Sequence, residues 1–332
     1  MWSCCLQLNS RLSLTMLTIE WETPMFIKSA VAAKKGRRLT VKKNFSLKTD
    51  GFIGRLMQPA SDRYPGKALI VMGGSDGVFF LTKLMAGHFV KHGITVLALN
   101  YFGKTGLPIP RECYDLPVEA VERAAAWLYA NDYREVGVWG FSEGAELALL
   151  SASLIKSISC VIAASPSAFV TMGISWRRGA HNVQRSSFTW RGKPLPYLEN
   201  RENDAKSIKA ISKEKGEFYT RRCYEAGLEA GFPEGAEIAV EKIRGSILLI
   251  SGGRDSNIPA DVFCERIKER LRKHGFSYRI LHLHYNDASH FLFPNQTSLG
   301  KLMSYTERKY AASCRFARED SYKRTMEFLQ QW

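Results

Sequence analysis

Short apolar runs that alternate with helix-like stretches constrain the fold of this chain more than any other feature of its sequence. Uninterrupted apolar strands of this kind are what a parallel sheet buried on both faces requires. Two β-rich runs come first and six apolar runs follow them: Leu39–Leu47 and Gly51–Met57, then Ala68–Met72, Ile94–Leu99, Val136–Trp139, Ile158–Ala164, Ser246–Ser251 and Tyr278–Tyr285. The runs therefore predict a large, mostly parallel sheet.

The segments between these runs predict helices that cross from one strand to the next. Two of them end in a glycine that is typical of a helix stop, Gly93 and Gly275. The predicted helices are Val78–His92, Pro117–Asn131, Glu143–Ile155, Ala260–His274 and a final one at about Ala317–Gln331. This alternation is typical of a doubly wound α/β sheet with right-handed crossovers.

The sequence predicts one domain over residues 39–332, preceded by an extension over residues 1–38 that is expected to be poorly ordered. We interpret its first 24 residues as a loosely attached segment or as the product of a start codon placed too far upstream, because Met25 opens a more ordinary sequence. Residues 173–244 break the alternation with polar and aromatic sequence that contains no predicted buried strand. We interpret them as a lid-like insertion over one edge of the sheet.

Composition and charge exclude several classes of protein. The chain is 45% hydrophobic and 24% charged, which is typical of a globular protein, and no stretch approaches the ~18 apolar residues of a membrane-spanning helix. Seven cysteines without a Cys-x-x-Cys pair indicate a reducing compartment, here the cytoplasm, and no disulfide scaffold, metal or cofactor is predicted. The net charge of +15 favours anionic partners, but no nucleic-acid-binding pattern accompanies it.

The motif Gly-x-Ser-x-Gly occurs twice, around Ser75 and around Ser142. Both copies lie between a predicted strand and a predicted helix, as a nucleophile elbow requires. In the α/β-hydrolase arrangement the nucleophile follows the fifth strand; Val136–Trp139 is the fifth run, whereas Ala68–Met72 is the third. Ser142 is therefore predicted to be the nucleophile of an α/β-hydrolase fold.

The first copy of the motif is interpreted as part of an oxyanion hole. The loop after the third strand supplies one oxyanion-binding amide in such folds, and Gly74 would let the backbone approach the substrate. The backbone amides of Ser75 and Glu143 are predicted to bind the oxyanion. The alternative is a plain glycine turn between a strand and a helix.

A serine hydroxyl becomes a nucleophile only when a base takes its proton, and the base must be oriented by an acid. His290 lies in the loop after the last predicted strand, where the catalytic base of this fold is expected. His274 belongs to a helix end, and a cation there is explained by the helix carbonyls. His282 and His284 alternate with leucines within the strand and are interpreted as structural.

The predicted acid is Asp255, which follows the run Ser246–Ser251 through a turn that contains Gly252 and Gly253. A carboxylate at the carboxyl end of a strand points into the crevice where open α/β sheets bind their ligands. Asp287 is the competitor, three residues before the predicted base, but its position suits stabilisation of its own turn.

Four segments of the sequence resemble the C-terminal catalytic domain of the acyl-CoA thioesterase / bile acid-CoA:amino acid N-acyltransferase family. They are Val138–Leu149, Ser159–Ser167, Phe188–Pro196 and Leu248–Asp255. The resemblance runs from about residue 50 to the C-terminus, and dienelactone hydrolases share the same pattern more distantly. It implies a small-molecule acyl-CoA or acyl ester substrate.

One departure from the family bears on the reaction. The amide-forming members are known for a cysteine nucleophile, whereas this chain has Ser142. Thioester hydrolysis is therefore favoured over amino-acid conjugation. Three alternatives stay open at this stage: a carboxylesterase or dienelactone-type hydrolase without CoA specificity, an acyl-CoA:amino acid N-acyltransferase, and a non-catalytic binding protein on a hydrolase scaffold.

The predicted insertion carries aromatic and basic residues that would suit CoA. Aromatic rings suit an acyl chain or an adenine ring, and cations suit the phosphates. The proposed substrate-binding residues are Trp190, Arg191 and Lys193, with Trp176, Arg177, Arg178, Arg221 and Arg222 as further candidates. The alternative is a solvated lid whose charges only keep it soluble.

Overall fold

The computed structural model of the chain describes residues 40–103, 109–175, 181–201, 205–293 and 304–332. The predicted N-terminal extension lies outside the described residues, and so do Trp176, Arg177 and Arg178. Among the described residues, no helix is both long enough and apolar enough to cross a bilayer.

One eight-stranded sheet organises the described chain. Its strands, numbered in chain order, are β1 (Thr40–Phe45), β2 (Ile53–Gln58), β3 (Lys67–Met72), β4 (Thr95–Asn100), β5 (Glu135–Phe141), β6 (Ile158–Ala164), β7 (Ser246–Gly252) and β8 (Ile280–Tyr285). The spatial order is β1-β2-β4-β3-β5-β6-β7-β8. Strand β2 pairs antiparallel with both of its neighbours, β1 and β4. The other pairs, which join β4, β3, β5, β6, β7 and β8 in that spatial order, are parallel.

Helices pack on both faces of this sheet. In chain order, the helices of the described residues are α1 (Leu47–Asp50), α2 (Phe79–Lys91), α3 (Glu119–Tyr129), α4 (Glu143–Leu154), α5 (Ala205–Lys215), α6 (Arg221–Ala230), α7 (Ala260–Lys273), α8 (Tyr305–Lys309) and α9 (Ala311–Gln330). On one face, Phe89 of α2 and Phe328 of α9 pack with strand residues such as Leu69. On the other face, α3, α4 and α7 contribute the buried core, which explains why the central strands are apolar throughout.

The predicted fold class is confirmed: the sheet is mostly parallel, doubly wound and of the α/β-hydrolase type. Each of the eight sequence runs corresponds to one strand of the sheet. The predicted and observed bounds differ by no more than two residues at either end. Strand β5 extends through Phe141, so the chain passes from the strand directly into Ser142.

The described part of the predicted insertion, residues 173–244, contains more secondary structure than its sequence indicates. It contains α5, α6 and short strands, among them His181–Ser186, which pairs antiparallel with Met172–Ser175. The expectation that no buried strand occurs here is wrong at the first residues of the segment, because the strand Met172–Ser175 is buried at three of its four positions. In the strand Phe188–Trp190, Phe188 alone is fully buried. The polar residues around Phe188 give no sign in the sequence that its side chain is buried. That the segment acts as a lid stays a prediction.

Candidate active site

Ser142 occupies a strained turn between β5 and α4. Its backbone angles are φ 55° and ψ −122°, a conformation that non-glycine residues rarely adopt. The flanking glycines are required by close packing. A Cβ added at Gly140 would lie 1.9 Å from the carbonyl oxygen of Gly144, and one at Gly144 would lie 2.4 Å from that of Gly73. The motif therefore builds a sharp elbow that projects the Ser142 side chain from the edge of the sheet.

The structure brings the three predicted catalytic side chains into one hydrogen-bonded chain. Ser142 Oγ lies 3.0 Å from His290 Nε2, and His290 Nδ1 lies 2.7 Å from Asp255 Oδ2. A carboxylate can only accept, so the hydrogen of the neutral imidazole is on Nδ1 and Nε2 is free to accept from the Ser142 hydroxyl. His290 and Asp255 are buried. The geometry is that of a nucleophile, a base and an orienting acid, and these roles stay predictions.

Asp255 is fixed in this position by its own turn. Its Oδ1 accepts hydrogen bonds from the amides of Asn257 and Ile258, at 2.9 and 3.0 Å, which leaves Oδ2 for His290. The competing carboxylate, Asp287, instead forms a surface ion pair with Arg254 at 2.7 Å. The carboxylate of Asp255 is therefore held in place by its own turn, with one oxygen directed at His290.

The loops that carry the acid and the base pack directly on each other through glycines. A Cβ at Gly252 would lie 2.4 Å from the carbonyl oxygen of Ala288, and one at Gly253 would lie 2.5 Å from that of Asn286. The amide of Gly253 also donates to the carbonyl of Tyr285 at 2.9 Å. These contacts set the distance between Asp255 and His290.

Ser165 is a supporting residue that the sequence did not single out. Its hydroxyl donates to the backbone carbonyl of His290 at 2.8 Å, and it is fully buried with φ 52°. The available signal was its place directly after β6, at the same edge of the sheet as Ser142. The ring of His290 also packs beside Phe141, with ring centroids 5.1 Å apart.

The other three histidines of the C-terminal part lie away from Ser142. His274 is the C-cap residue of α7. On β8, His282 Nε2 and His284 Nδ1 contact the hydroxyl of Ser251, at 2.8 and 3.0 Å. His282 Nδ1 also lies 3.3 Å from the carboxylate of Glu265 on α7, so both histidines of β8 have structural partners.

The predicted oxyanion loop approaches the nucleophile closely. A Cβ at Gly74 would lie 3.4 Å from Ser142 Cβ and 3.3 Å from the ring of Phe141, so the backbone at Gly74 lies within van der Waals reach of the Ser142 side chain. Glu143 contributes the first amide of α4, which has no acceptor within its own helix. Ser75 and Glu143 line the same cavity as Ser142. Binding of an oxyanion by these two amides stays a prediction.

The residues predicted to bind CoA lie elsewhere. Arg191 forms two hydrogen bonds with the carboxylate of Glu122 on α3, at 2.7 and 2.5 Å, and its guanidinium lies 4.1 Å from the ring centre of Trp190. Lys193 is exposed and pairs with Trp190 across a short antiparallel strand pair. None of the three is among the described residues that line the cavity at Ser142. Their role in substrate binding stays a prediction without support from this geometry.

A cavity of about 80 Å³ opens at Ser142 and is lined by two buried carboxyl groups. Glu143 and Glu146 lie one helical turn apart on α4, with 6% and 2% of their surface exposed. Glu146 accepts hydrogen bonds from the amide and the hydroxyl of Thr171, at 2.8 and 2.9 Å. Sequence reasoning missed Glu146 and Thr171. A charged residue in an otherwise apolar helix was the available signal.

Burial raises the pKa of Glu143 to about 7, from an ordinary value of 4.5, and raises that of Glu146 well above its ordinary range. Two like groups one turn apart reinforce this, since ionising one disfavours ionisation of the other. The neighbouring Ser187 and Cys113 side chains offset part of the rise for Glu143. Among the described residues, no group of three or more His, Cys, Asp and Glu side chains could hold a metal ion.

The free energy of unfolding should fall less steeply with rising pH in Glu143→Gln than in the unsubstituted chain. The folded chain holds a proton on Glu143 that the unfolded chain releases, so this contribution is complete below pH 4.5 and is lost as the pH rises through 7. Relative to the unsubstituted chain, the variant should gain about 1–3 kcal/mol in free energy of unfolding between pH 5 and pH 8. Urea unfolding at both pH values measures this, with the exposed Glu214→Gln as control. If the free energy of unfolding depends on pH in the same way in Glu143→Gln and in the unsubstituted chain, Glu143 does not hold a buried proton.

The fold and the side-chain arrangement define a protein of the α/β-hydrolase class with a Ser-His-Asp chain at the carboxyl edge of the sheet. Residues 116–331, about two thirds of the chain, match the family model described as BAAT / acyl-CoA thioester hydrolase C terminal. The chain belongs to this family.

Curated relatives carry two kinds of name. The chain is 26% identical over 242 residues to acyl-coenzyme A amino acid N-acyltransferase 2 of Rattus norvegicus, which covers 72% of this chain and 51% of the relative. It is 24% identical over 247 residues to the peroxisomal succinyl-coenzyme A thioesterase of Mus musculus, with the same coverage of 72% and 51%. The chain thus spans about half the length of the curated relatives it matches.

Solved structures agree in fold. An esterase of Pyrococcus furiosus superposes with a TM-score of 0.52 at 18% identity, over 89% of this chain and 93% of that one. A Klebsiella pneumoniae protein assigned as a dienelactone hydrolase gives a TM-score of 0.52 at 13% identity, over 89% and 100% of the two chains. At these identities the likeness concerns the fold alone.

Proposed function

We propose that the chain is a serine hydrolase that cleaves acyl thioesters, with acyl-CoA as the leading substrate class. The observation that carries the proposal is the hydrogen-bonded chain Ser142–His290–Asp255, with distances of 3.0 and 2.7 Å, in a member of a family described by acyl-CoA thioester hydrolysis. Thioesterases among the named relatives support the same reading. The cytoplasmic location stays a prediction, and one relative is named a peroxisomal enzyme.

The first half-reaction would acylate the serine. Ser142 Oγ attacks the thioester carbonyl carbon while His290 Nε2 takes the hydroxyl proton. The carbonyl oxygen becomes an oxyanion, which the amides of Ser75 and Glu143 would stabilise. The tetrahedral intermediate then collapses, the carbon–sulfur bond breaks, and the imidazolium returns its proton to the departing thiolate. An acyl ester on Ser142 and a free thiol result.

The second half-reaction would release the acid. With the thiol gone, neutral His290 accepts a proton from a water molecule that attacks the acyl carbonyl. Collapse of the second intermediate expels Ser142 Oγ, which recovers the proton from Nε2. Throughout, Asp255 stays ionised, holds the imidazole hydrogen on Nδ1 and stabilises the imidazolium.

A serine nucleophile distinguishes hydrolysis from amide formation. The acyl group would be held on Ser142 as an oxygen ester, which is less reactive toward amines than a thioester would be. Water is therefore the acceptor that we propose, although three relatives are named amino acid N-acyltransferases.

A second candidate function, a carboxylesterase or dienelactone-type hydrolase without CoA specificity, is favoured by one observation. Among the described residues that line the cavity at Ser142, none is a lysine or an arginine. The phosphates of CoA would therefore have to find their cations outside this cavity.

Rates on matched substrates should separate the candidates. The chain should hydrolyse butyryl-CoA with a kcat/KM at least about tenfold above that for the N-acetylcysteamine thioester of the same acid, because a tenfold preference needs only ~1.4 kcal/mol from CoA contacts. Product analysis with glycine present should give free acid rather than acylglycine. Equal kcat/KM for both thioesters would favour the second candidate, and acylglycine would favour amide formation.

A non-catalytic binding protein on the same scaffold is tested separately. A fluorophosphonate probe should label the unsubstituted chain covalently, because it reacts only with an activated serine. Failure of labelling, with the fold intact by circular dichroism, would favour the binding protein.

A further inference from the structure

The loop that carries one of the two predicted oxyanion amides, residues 73–77, is rich in glycine, the residue with the greatest backbone freedom. Within this loop the amide of Gly77 lies 3.4 Å from the carbonyl oxygen of Gly74, a long hydrogen bond, and Asp76 accepts from the amide of Val78 at 2.7 Å. An oxyanion hole stabilises a transition state only when its donors are already oriented. Contacts from neighbouring segments therefore matter for the direction of the loop amides.

Tyr101 supplies one such contact. Its hydroxyl donates to the carbonyl oxygen of Gly73 at 2.7 Å. Strands β3 and β4 are parallel neighbours, so Gly73 and Tyr101, which follow them directly, meet at the carboxyl edge of the sheet. Tyr101 is 5% exposed, and burial raises the pKa of its hydroxyl well above the ordinary value, so the group keeps its proton and remains a donor.

The segment that follows β4 also contacts the other end of the loop, through Gly103. A Cβ added at Gly103 would lie 2.1 Å from the carbonyl oxygen of Gly77, and one at Gly77 would lie 2.9 Å from Gly103 Cα. The added Cβ at Gly77 would also lie 3.0 Å from the ring of Phe102. Residues 101–103 therefore contact both the first and the last residue of the loop.

The carbonyl group of Gly73 also lies against the start of α4. A Cβ at Gly144 would lie 2.4 Å from this oxygen, so the loop and the first turn of α4 are in direct backbone contact. Glu143, the residue before Gly144, contributes the other predicted oxyanion amide. In a trans peptide the carbonyl and the following N–H point in opposite directions, so a hydrogen bond that fixes the carbonyl of Gly73 also fixes the amide of Gly74.

We propose that Tyr101 is a positioning residue for the oxyanion hole: through the carbonyl of Gly73 it holds the loop so that the amides of Ser75 and Glu143 are directed at the same point. The inference rests on the proposed hydrolysis at Ser142 and names a residue that acts in it through another residue. Tyr101 therefore contributes in the transition state, when negative charge develops on the substrate oxygen, and contributes little to binding of the substrate itself.

Tyr101→Phe tests the proposal, because it removes the hydroxyl and keeps the ring. The buried carbonyl of Gly73 then lacks this donor, which favours a shift of the loop toward water. Loss of a whole oxyanion donor lowers kcat by about 10²–10³-fold, so a misdirected one should lower kcat on butyryl-CoA by about 10- to 100-fold and change KM by less than about threefold. Steady-state kinetics measure both constants.

A pair of inhibitors separates the oxyanion hole from the rest of the cavity. In butylthiomethyl trifluoromethyl ketone, Ser142 Oγ should add to the carbonyl carbon while the hydroxyl proton passes to His290, and the ketone oxygen becomes an oxyanion. The corresponding alcohol has no carbonyl and forms no adduct. In Tyr101→Phe, the Ki of the ketone should rise by about the factor by which kcat/KM falls, and the Ki of the alcohol should not change. A role in stability alone would leave the ratio of the two Ki values unchanged, because the ratio does not depend on the fraction of folded protein.

Tyr129→Phe is the matched control. The hydroxyl of Tyr129 also donates to a backbone carbonyl, that of Ser157, which directly precedes β6 at the amino edge of the sheet. Its removal should lower the free energy of unfolding in urea and leave kcat and both Ki values unchanged.

Gly103→Ala tests the same loop and retains the Tyr101 hydroxyl. The added Cβ would collide with the carbonyl oxygen of Gly77, so the loop should be displaced from its other end. The Ki of the ketone should rise in this variant too, and the Ki of the alcohol should not.

The outcomes are distinct. A selective rise in the ketone Ki in Tyr101→Phe, with the control unchanged, would support the positioning role. Unchanged kcat and ketone Ki in Tyr101→Phe, or equal rises in both Ki values, would overturn it and leave hydrolysis at Ser142 standing. If Tyr101→Phe does not fold, the ratio of Ki values in Gly103→Ala decides in the same way. Absence of both Ser142-dependent hydrolysis and ketone inhibition in the unsubstituted chain would overturn the proposed function and the positioning role together.

Discussion

Ser142→Ala should lower kcat on an acyl thioester by about 10⁴-fold or more and leave the free energy of unfolding nearly unchanged. Without Oγ there is no acyl-enzyme, and the base has no proton to take. Steady-state kinetics on butyryl-CoA, together with urea unfolding, measure both quantities. Retention of most turnover would contradict the covalent mechanism.

The other copy of the motif supplies a matched comparison. Ser75 contributes only its backbone amide to the proposed oxyanion hole, so Ser75→Ala should reduce kcat far less than Ser142→Ala does. A loss of equal size in the two variants would mean that strand order does not distinguish the two serines.

Asp255→Asn should lower kcat by about 10³–10⁴-fold, the size of effect seen when the orienting acid of a serine protease is replaced by its amide. The amides of Asn257 and Ile258 both donate to Oδ1, so the carbonyl oxygen of the asparagine must take that position. Its NH₂ group then faces His290 Nδ1, which can only accept, and the imidazole hydrogen moves to Nε2. In this tautomer Nε2 cannot take the proton of Ser142. The loss should appear in kcat, which steady-state kinetics on butyryl-CoA measures.

Asp287→Asn is the control for this substitution, because it replaces the competing carboxylate in the same way. Asp287 pairs with Arg254 at the surface, and exposed pairs contribute at most about 1 kcal/mol, so kcat should change by less than about fivefold. A larger loss in Asp287→Asn than in Asp255→Asn would reverse the assignment of the acid.

The strands and the three central side chains were predictable because each depends on local sequence. A buried parallel strand is apolar throughout, and the elbow needs its glycines within five residues. Asp255 could be preferred to Asp287 as the acid for the same reason, since Gly252 and Gly253 indicate a tight turn at the end of a strand. Chain order then fixed which serine follows the fifth strand.

The remaining parts of the site depend on contacts between distant segments, which no local pattern reports. Glu146 meets Thr171 across 25 positions of sequence, and Ser165 meets His290 across 125. Arg191 was predicted to bind phosphate because of its charge, but its partner is Glu122, 69 positions earlier. The residues next to a surface arginine in the sequence do not show whether its guanidinium forms an ion pair with a distant carboxylate.

The contact between the acid loop and the base loop has a consequence for engineering this chain. Gly252 and Gly253 leave no room for a Cβ against Ala288 and Asn286, so a substitution at either glycine would push the two loops apart. Residues 252–253 and 286–288 therefore form a single unit for library design. Diversifying one loop alone would inactivate most clones without altering a catalytic side chain, whereas paired diversification could reach new loop conformations that keep the base oriented.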